Sequence, residues 1–344
     1  MKNCNVIGID LAKNIIQVCI INKHGEVRSN KAMSPLKLKE FLTKSSPSIV
    51  AFEGASTCHY WGRFASNLSH DVRVIGPRKV KAFLQGQKTD ANDALAIAVA
   101  ATQPGMLFSQ LKNEEQQVLQ SLETSRRFLD KHRVSLENHI RAFLYEYGIT
   151  VARGAKYLRQ SVLDILSEGS DELPHHLLAP LLSLWEQYRD TVKRVAAIEK
   201  ELTQLVKKTD ACQRLKALEG VGDVCALKLF TSLGNGEGFK NGRQASAYIG
   251  VTPKQYSSGG KVSMKGIDKV GGNKALRANL FMGARAVIKV LPEKPRTTKE
   301  QWLIALIKRV GEKRACIALA NKTVRTAWAL LASGEKYKST ALVA

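Results

Sequence analysis

Twice near its beginning the chain runs through a short apolar stretch that ends in a carboxylate. The first is Asn5-Val6-Ile7-Gly8-Ile9-Asp10 and the second Ser48-Ile49-Val50-Ala51-Phe52-Glu53. Apolar runs this short, bounded by turn signals, read as central strands. An acid at the end of such a strand lies where open α/β sheets form their binding crevices. Ile15 to Asn22 carries a second strand pattern, and the turn Asn22-Lys23-His24-Gly25 leads into a third, Glu26 to Ser29, so the three read as a meander. Helical spacing follows the Ser34-Pro35 start signal from Leu36 to Thr43. Beyond Glu53 come a helix near Tyr60 to Ser69, a strand from Val72 to Ile75 and, after Pro77, a last helix. The order βββαβαβα predicts a layered α/β architecture with helices covering a mixed sheet.

That last helix opens with Lys88-Thr89-Asp90-Ala91-Asn92-Asp93-Ala94 and continues through an alanine-rich apolar run to Ala101. Thr89 or Asp90 can serve as its N-cap. Residues three apart share a helix face, so Asp90 and Asp93 can point at one centre. Taken alone, the segment also reads as a capping acid and an exposed first-turn acid favoured by the helix dipole. Set beside Asp10 and Glu53, four carboxylates can meet at one end of the sheet. Such a cluster is costly unless a cation sits within it. Hard oxygen ligands without nearby Cys or His suit Mg²⁺ or Mn²⁺. Two such ions about 4 Å apart would activate a nucleophile and stabilise the leaving oxygen in phosphodiester cleavage. Gly8 and Gly54, beside two of the acids, read as room for a nucleic-acid backbone.

Charge points to the same class of substrate. The chain has 344 residues, with 53 Lys and Arg against 30 Asp and Glu, a net +23. So large an excess in a chain that is 44% hydrophobic implies a folded protein with a polyanionic partner, nucleic acid before membrane. Neither a long apolar span nor a basic amphipathic terminus supports a membrane. Met1 to Asn5 leads straight into a strand, so no secretory leader is expected and the expected location is cytoplasmic, at the nucleoid when active. Cys4, Cys19, Cys58, Cys212, Cys225 and Cys316 form no C-x-x-C pair and read as reduced, mostly buried thiols.

The middle of the chain repeats apolar residues at four-three spacing. Leu122, Leu129, Leu136 and Phe143 form one seam, with Ile140 and Tyr147 between; Leu181, Trp185, Tyr188, Val192, Val195, Leu202 and Val206 form another. Both predict long helices with a coiled-coil seam, separated by a break containing Gly169, Pro174 and Pro180. Arg126, Arg127, Lys131, His132, Arg133 and Arg141 give the first helix either a solvated face or a phosphate-tracking one. His175-His176 lacks partner ligands and reads as surface. An antiparallel arm that also mediates dimerisation fits this pattern.

Further on, Leu218-Glu219-Gly220-Val221-Gly222-Asp223 forms a turn between two helical patterns. It is either a plain interhelical turn or one whose amides meet a phosphate. Val251-Thr252-Pro253-Lys254-Gln255-Tyr256-Ser257-Ser258-Gly259-Gly260-Lys261 follows, with Lys254, Lys261, Lys265 and Lys269 around the small residues. Composition favours a flexible basic loop, although a hydroxyl among cations can also attack phosphorus. Lys274, Arg277 and Arg285 lie on the next helix as candidate phosphate contacts. Two more helices, Thr298 to Val310 and Ala315 to Ala332, close the chain.

Gly8 to Lys13, Phe52 to Thr57 and Lys88 to Ala94 resemble the three motifs of the DEDD transposases. These are the IS one-ten family of insertion-sequence recombinases, related to the Piv DNA invertases. Val251 to Gly260 and the helix after it are similar to the family's C-terminal transposase domain, and the resemblance covers nearly the whole chain. It implies a ribonuclease-H/RuvC-like domain at 1–107, a helical coiled-coil region at 108–211 and a helical C-terminal transposase domain at 212–344 with a helix-hairpin-helix-like turn. It implies a tetrad of Asp10, Glu53, Asp90 and Asp93 binding Mg²⁺, with Mn²⁺ as the substitute. Ser258, directly before glycine, takes the place of the family's catalytic serine, with Ser257 as its neighbour. Asp268-Lys269-Val270-Gly271-Gly272 departs from the serine-lysine-x-glycine run of relatives.

The resemblance further implies DNA strand cleavage and exchange through a transient serine–DNA link, in which the separation of tetrad and serine makes catalysis depend on assembly. The partners it implies are element-end and target DNA, a structured guide RNA encoded by the element, and further copies of the chain as a dimer or tetramer on nucleic acid. Gly220, Gly222, Lys254, Lys261, Lys265, Lys274 and Arg277 are the candidate nucleic-acid contacts. The alternatives are an invertase or junction-resolving nuclease using the same acids, and a non-catalytic nucleic-acid-binding protein. The last does not account for four acids at element ends in a basic chain, since they oppose DNA binding without a metal.

Overall fold

The computed structural model describes residues 5–55, 57–268 and 271–338; Met1, Cys4, Lys269 and Val270, named above, lie outside them. Two compact units form, one from residues 1–116 with 232–245, the other from 117–231 with 246–344.

In the first unit, β1 (Val6–Asp10), β2 (Ile16–Ile21) and β3 (Val27–Met33) make the antiparallel meander. On the other side of β1, β4 (Ile49–Glu53) and β5 (Asp71–Ile75) add in parallel, giving a five-stranded mixed sheet ordered β3-β2-β1-β4-β5. α1 (Pro35–Lys44) and α2 (Cys58–Asn67) cover one face; α3 (Pro77–Lys81) and α4 (Asp90–Thr102) belong to the other. The expected order holds with two additions. β3 continues past Ser29 to Met33, and Pro77 starts the short helix α3, where its missing N–H costs no helical bond.

Side-chain alternation divides the core. Ile7, Ile9, Val50 and Phe52 pack with Leu38, Leu42, Trp61 and Ala65 of α1 and α2. Val6, Ile49 and Ala51 pack with the alanines of α4. Period-two geometry therefore assigns Gly8, Asp10 and Glu53 to the α4 face as well. A Cβ on Gly8 would meet the Ala94 carbonyl and lie 2.5 Å from the Ala98 nitrogen. The space at Gly8 is thus taken by α4, which corrects its reading as room for nucleic acid. Gly54 donates its N–H to the Ile75 carbonyl at 2.7 Å, a strand-end contact.

In the second unit lie two long helices, α5 (Glu114–Tyr145) and, after α6 (Ala155–Glu168) and a 3₁₀ turn at His175–Leu177, α7 (Leu178–Lys208). α6 occupies part of the expected break. Leu158, Val162 and Ile165 of α6 pack with Leu136, Ile140 and Leu144 of α5 and with Leu181, Trp185 and Tyr188 of α7. The two-helix seam is therefore a three-helix cluster at this end. Pro180 sits in the first turn of α7, where it is tolerated, and Thr191 is buried where Val192 was expected. Arg126, Arg133 and Arg141 are spent on structure. Arg126 pairs with Glu123 and Glu199, Arg133 with Asp130 and Glu137, and Arg141 with Glu137 and the carbonyls of Val151, Ala152 and Gly154. His175 and His176 are exposed.

The chain continues through α8 (Asp210–Lys216), α9 (Asp223–Leu233) and α10 (Gly242–Ile249) to an antiparallel ribbon, β6 (Pro253–Ser258) and β7 (Lys261–Ile267). This ribbon replaces the expected flexible loop. Gly259 (φ 54°) and Gly260 (φ 76°) supply the two left-handed residues that a tight two-residue hairpin turn requires. α11 (Lys274–Lys289), α12 (Thr298–Val310) and α13 (Glu312–Ser333) then pack around Ala284, Leu303, Leu306, Cys316 and Leu319. A Thr297–Glu300 capping box starts α12. Cys19, Cys58, Cys212, Cys225 and Cys316 are buried, and none of them is in a disulfide. Among the described residues no helix is long and apolar enough to cross a membrane.

Candidate metal centre and basic ribbon

Asp10 ends β1 and Glu53 ends the parallel β4, one step beyond the Ile9–Phe52 pair. α4 lies across β1, so its first turn reaches the same end of the sheet. One ligand atom from each of Asp10, Asp90 and Asp93 lies within 4.8 Å of the other two. Glu53 is not in that close trio, yet it is near enough to feel Asp10 and Asp93. Burial first, then those two charges, push its carboxyl above the usual range, while Lys88 lowers it. Asp10 is likewise raised, by burial and then by Asp93 and Asp90, with Lys88 opposing. Two carboxyls that hold protons more tightly than usual, with two further acids beside them, are a set that a divalent cation would relieve. The donors are all hard oxygens, which fits Mg²⁺ or Mn²⁺.

Two supports escaped the sequence reading. Asn30 of β3 donates its amide to the Ala91 carbonyl at 2.9 Å, and its own side-chain oxygen accepts from Gln17 at 2.7 Å. It thus pins the backbone between Asp90 and Asp93 to the sheet; an amide in the middle of a strand was the available signal. Lys88 is the cation beside two of the acids, and its place just ahead of the Thr89 cap was its signal. Thr89 caps α4 by accepting from the Asn92 N–H at 3.3 Å, which decides between the two caps considered.

Gly220 and Gly222 differ in what they do. Gly220 has φ 76°, and a Cβ there would lie 2.6 Å from the Gly283 carbonyl, so it allows a turn to touch α11. Nothing crowds Gly222, which borders a cleft of about 410 Å³ with Arg126, Asp223, Asn279 and Gly283. Asp223 in the first turn of α9 pairs with Lys216 at 2.6 Å and puts negative charge where a phosphate was expected.

On the ribbon, cross-strand pairs sort the side chains. Tyr256 faces Ser263 and Ser258 faces Lys261, while Gln255 faces Met264 and Ser257 faces Val262. Alternation puts Tyr256, Ser258, Lys261, Ser263 and Lys265 on one face. Ser257 belongs to the other, where its hydroxyl accepts from Gln255 at 2.9 Å. Lys254 pairs with Asp268 at 3.2 Å. Lys274 is exposed at the start of α11, and Arg285 pairs with Glu312 at 3.8 Å. Arg277 departs from expectation. It is 8% exposed and donates to the Ile249 and Gly271 carbonyls, holding a loop together instead of facing a phosphate.

Comparison with known proteins matches both the N-terminal and the C-terminal part of the chain. A transposase model carrying the DEDD label of the IS110 group matches residues 7–149, and the model of the transposase IS116/IS110/IS902 family matches residues 212–299. The transposase for insertion sequence element IS1111A of Coxiella burnetii is 36% identical over 338 residues, covering 98% of this chain and 92% of that protein. A probable family 20 transposase of Pseudomonas aeruginosa is 34% identical and covers 98% and 99%. The pilin gene-inverting protein of Moraxella bovis is 23% identical over 88% of this chain and 92% of its own. With its carboxylate-bearing sheet, its C-terminal ribbon and relatives matched nearly end to end, this chain belongs to the IS110 family of transposases.

Proposed function

We propose that this transposase cleaves and exchanges DNA strands by transesterification at phosphorus, with Asp10, Glu53, Asp90 and Asp93 as metal ligands and Ser258 as nucleophile. The observation that carries the reading is the convergence of Asp10, Asp90 and Asp93 within 4.8 Å in a chain of net +23. Mg²⁺ bound there would supply Lewis acidity at a phosphate oxygen and an offset to the carboxylate charge. Ser258 Oγ attacks the scissile phosphorus and gives up its proton. An Oγ–P bond forms, a deoxyribose oxygen leaves as its hydroxyl, and the phosphodiester count is unchanged. A deoxyribose hydroxyl from the other duplex then attacks the phosphoserine and returns Ser258. Lys261 and Lys265, on the Ser258 face, stabilise the developing oxyanion. That face favours Ser258 over Ser257.

The proposal keeps the functional division at 1–107, 108–211 and 212–344, with the long helices as a coiled-coil arm for a dimer or tetramer on nucleic acid. It extends to an element-encoded guide RNA that pairs with donor and target DNA. A strongly basic chain can hold both nucleic acids by backbone and shape while base pairing carries sequence. RNase treatment is expected to abolish exchange, and light scattering is expected to report an oligomer on DNA.

Purified protein with element-end DNA, RNA and Mg²⁺ is expected to give a covalent protein–DNA band. The band is lost in Ser258→Ala and Asp90→Asn and kept in Ser257→Ala. Cleavage without an adduct and indifferent to Ser258→Ala would make water the nucleophile. The pilin gene-inverting relatives support inversion as a second outcome of the same chemistry, and recovery of excised circles from cells separates the two.

A further inference from the structure

The ribbon displays an aromatic ring where a soluble fold has no use for one. Tyr256 is 52% exposed, every residue of β6 is exposed, and β7 is exposed from Lys261 to Gly266. Its neighbours on the same face are hydroxyls and cations: Ser258 on its own strand, and Ser263, Lys261 and Lys265 on the other. Lys265 holds its ammonium 4.9 Å from the ring centroid. The ribbon's exposed apolar groups, Val262 and Met264, belong to the opposite face, so an apolar protein partner would select that side and not the Tyr256 side. An aromatic ring flanked by cations matches a different ligand, a flat base on a charged backbone. Tyr256 and Ser258 are two strand residues apart, about 6.7 Å along the ribbon. That is comparable to the span from a nucleobase to its flanking phosphate.

We propose that Tyr256, with Lys265, forms a binding site for one unpaired nucleobase next to the phosphate that Ser258 attacks. A base inside a duplex already has both faces stacked, so the ring can take only one released from the helix or exposed at a strand end. Stacking is indifferent to base identity and is worth roughly five- to a hundredfold in affinity. It would fix the scissile phosphate on the ribbon without reading sequence. The proposal rests on the reading that the Ser258 face meets DNA; it does not require that Ser258 be the nucleophile.

The test is a thermodynamic cycle on the full chain, with its nucleic-acid partners, in Ca²⁺ to hold back cleavage. The probe is element-end DNA with a single abasic site walked across the cleavage point. In the wild type one abasic position is expected to weaken binding about tenfold. Tyr256→Ala is expected to weaken binding to intact DNA by the same factor, and the abasic site is then expected to cost nothing further. Tyr256→Phe is expected to behave as wild type. Additive losses in Tyr256→Ala, or no sensitive abasic position, would overturn the proposal. The adduct assay separates the two readings. An adduct that persists in Ser258→Ala sinks the serine assignment, and the coupling between Tyr256 and the base still decides this one.

Discussion

Asp10 and Glu53 hold protons more tightly than free carboxyls because each is partly buried beside other acids. Removing one of those charges should therefore relieve strain while destroying the proposed ion site. In differential scanning fluorimetry Mg²⁺ is expected to raise the wild-type melting temperature, with about 2.7 kcal/mol gained at a hundred times Kd. Asp93→Asn is expected to melt no lower than wild type without metal and to lose the Mg²⁺ increment. His59 gives a pH prediction. Its Nδ1 accepts the Lys112 N–H at 3.3 Å, and its Nε2 lies 3.1 Å from the Lys112 Nζ. Burial, then the Lys112 and Arg63 charges, hold its pKa down to about 4 against 6.5. The folded chain binds fewer protons here than the unfolded one, so the contribution is fully present above about pH 6.5 and drains as pH falls toward 4. Melting temperature measured from pH 7.5 to 4.5 should fall less steeply in His59→Gln.

Two elements depend on glycines for opposite reasons. β1 needs Gly8 because the α4 backbone passes directly over it, and the resulting approach is what brings Asp90 and Asp93 to Asp10. Gly8→Ala is expected to cost roughly 1–3 kcal/mol by overpacking, and to lower metal-dependent cleavage more than Asn30→Ala does. Circular dichroism melts and cleavage rates check both. The β6–β7 ribbon needs Gly259 and Gly260 for their left-handed backbone, with open space around both. Gly260→Val is expected to leave the stability of the helical core within about 0.5 kcal/mol, since the ribbon is exposed, while sharply reducing adduct yield.

For the whole molecule, +23 is the dominant quantity. Several arginines counted in that charge are tied up internally, Arg126, Arg133 and Arg141 in ion pairs and Arg277 on carbonyls. Binding should rest on the exposed lysines. The slope of log K against log salt is expected to drop by about one unit for each phosphate-contacting lysine removed, in Lys261→Ala and Lys274→Ala, and to stay constant in Arg285→Ala, whose charge is paired with Glu312. Fluorescence anisotropy with labelled DNA across a salt series reads both.

The alternation of apolar residues and the acids closing β1 and β4 are local facts, so the order of elements, the meander and a helix capped at Thr89 or Asp90 were legible from the chain. So was the kinship carried by the motifs around Asp10, Glu53 and Asp90. Long-range pairings were not. α6 was hidden because glycines and prolines nearby read as a break, while Leu158, Val162 and Ile165 gain meaning only against α5 and α7. Gly8 looked like space for a ligand until α4 filled it, and Arg277 looked like a phosphate contact until Ile249 and Gly271 claimed its guanidinium. The basic loop became a ribbon only when β7 paired with β6, and that pairing places Ser258 and Ser257 on opposite faces. Period and composition act within a few residues along the chain. Who fills a space or accepts a hydrogen bond is settled by residues far away in sequence, and only tertiary packing brings those together.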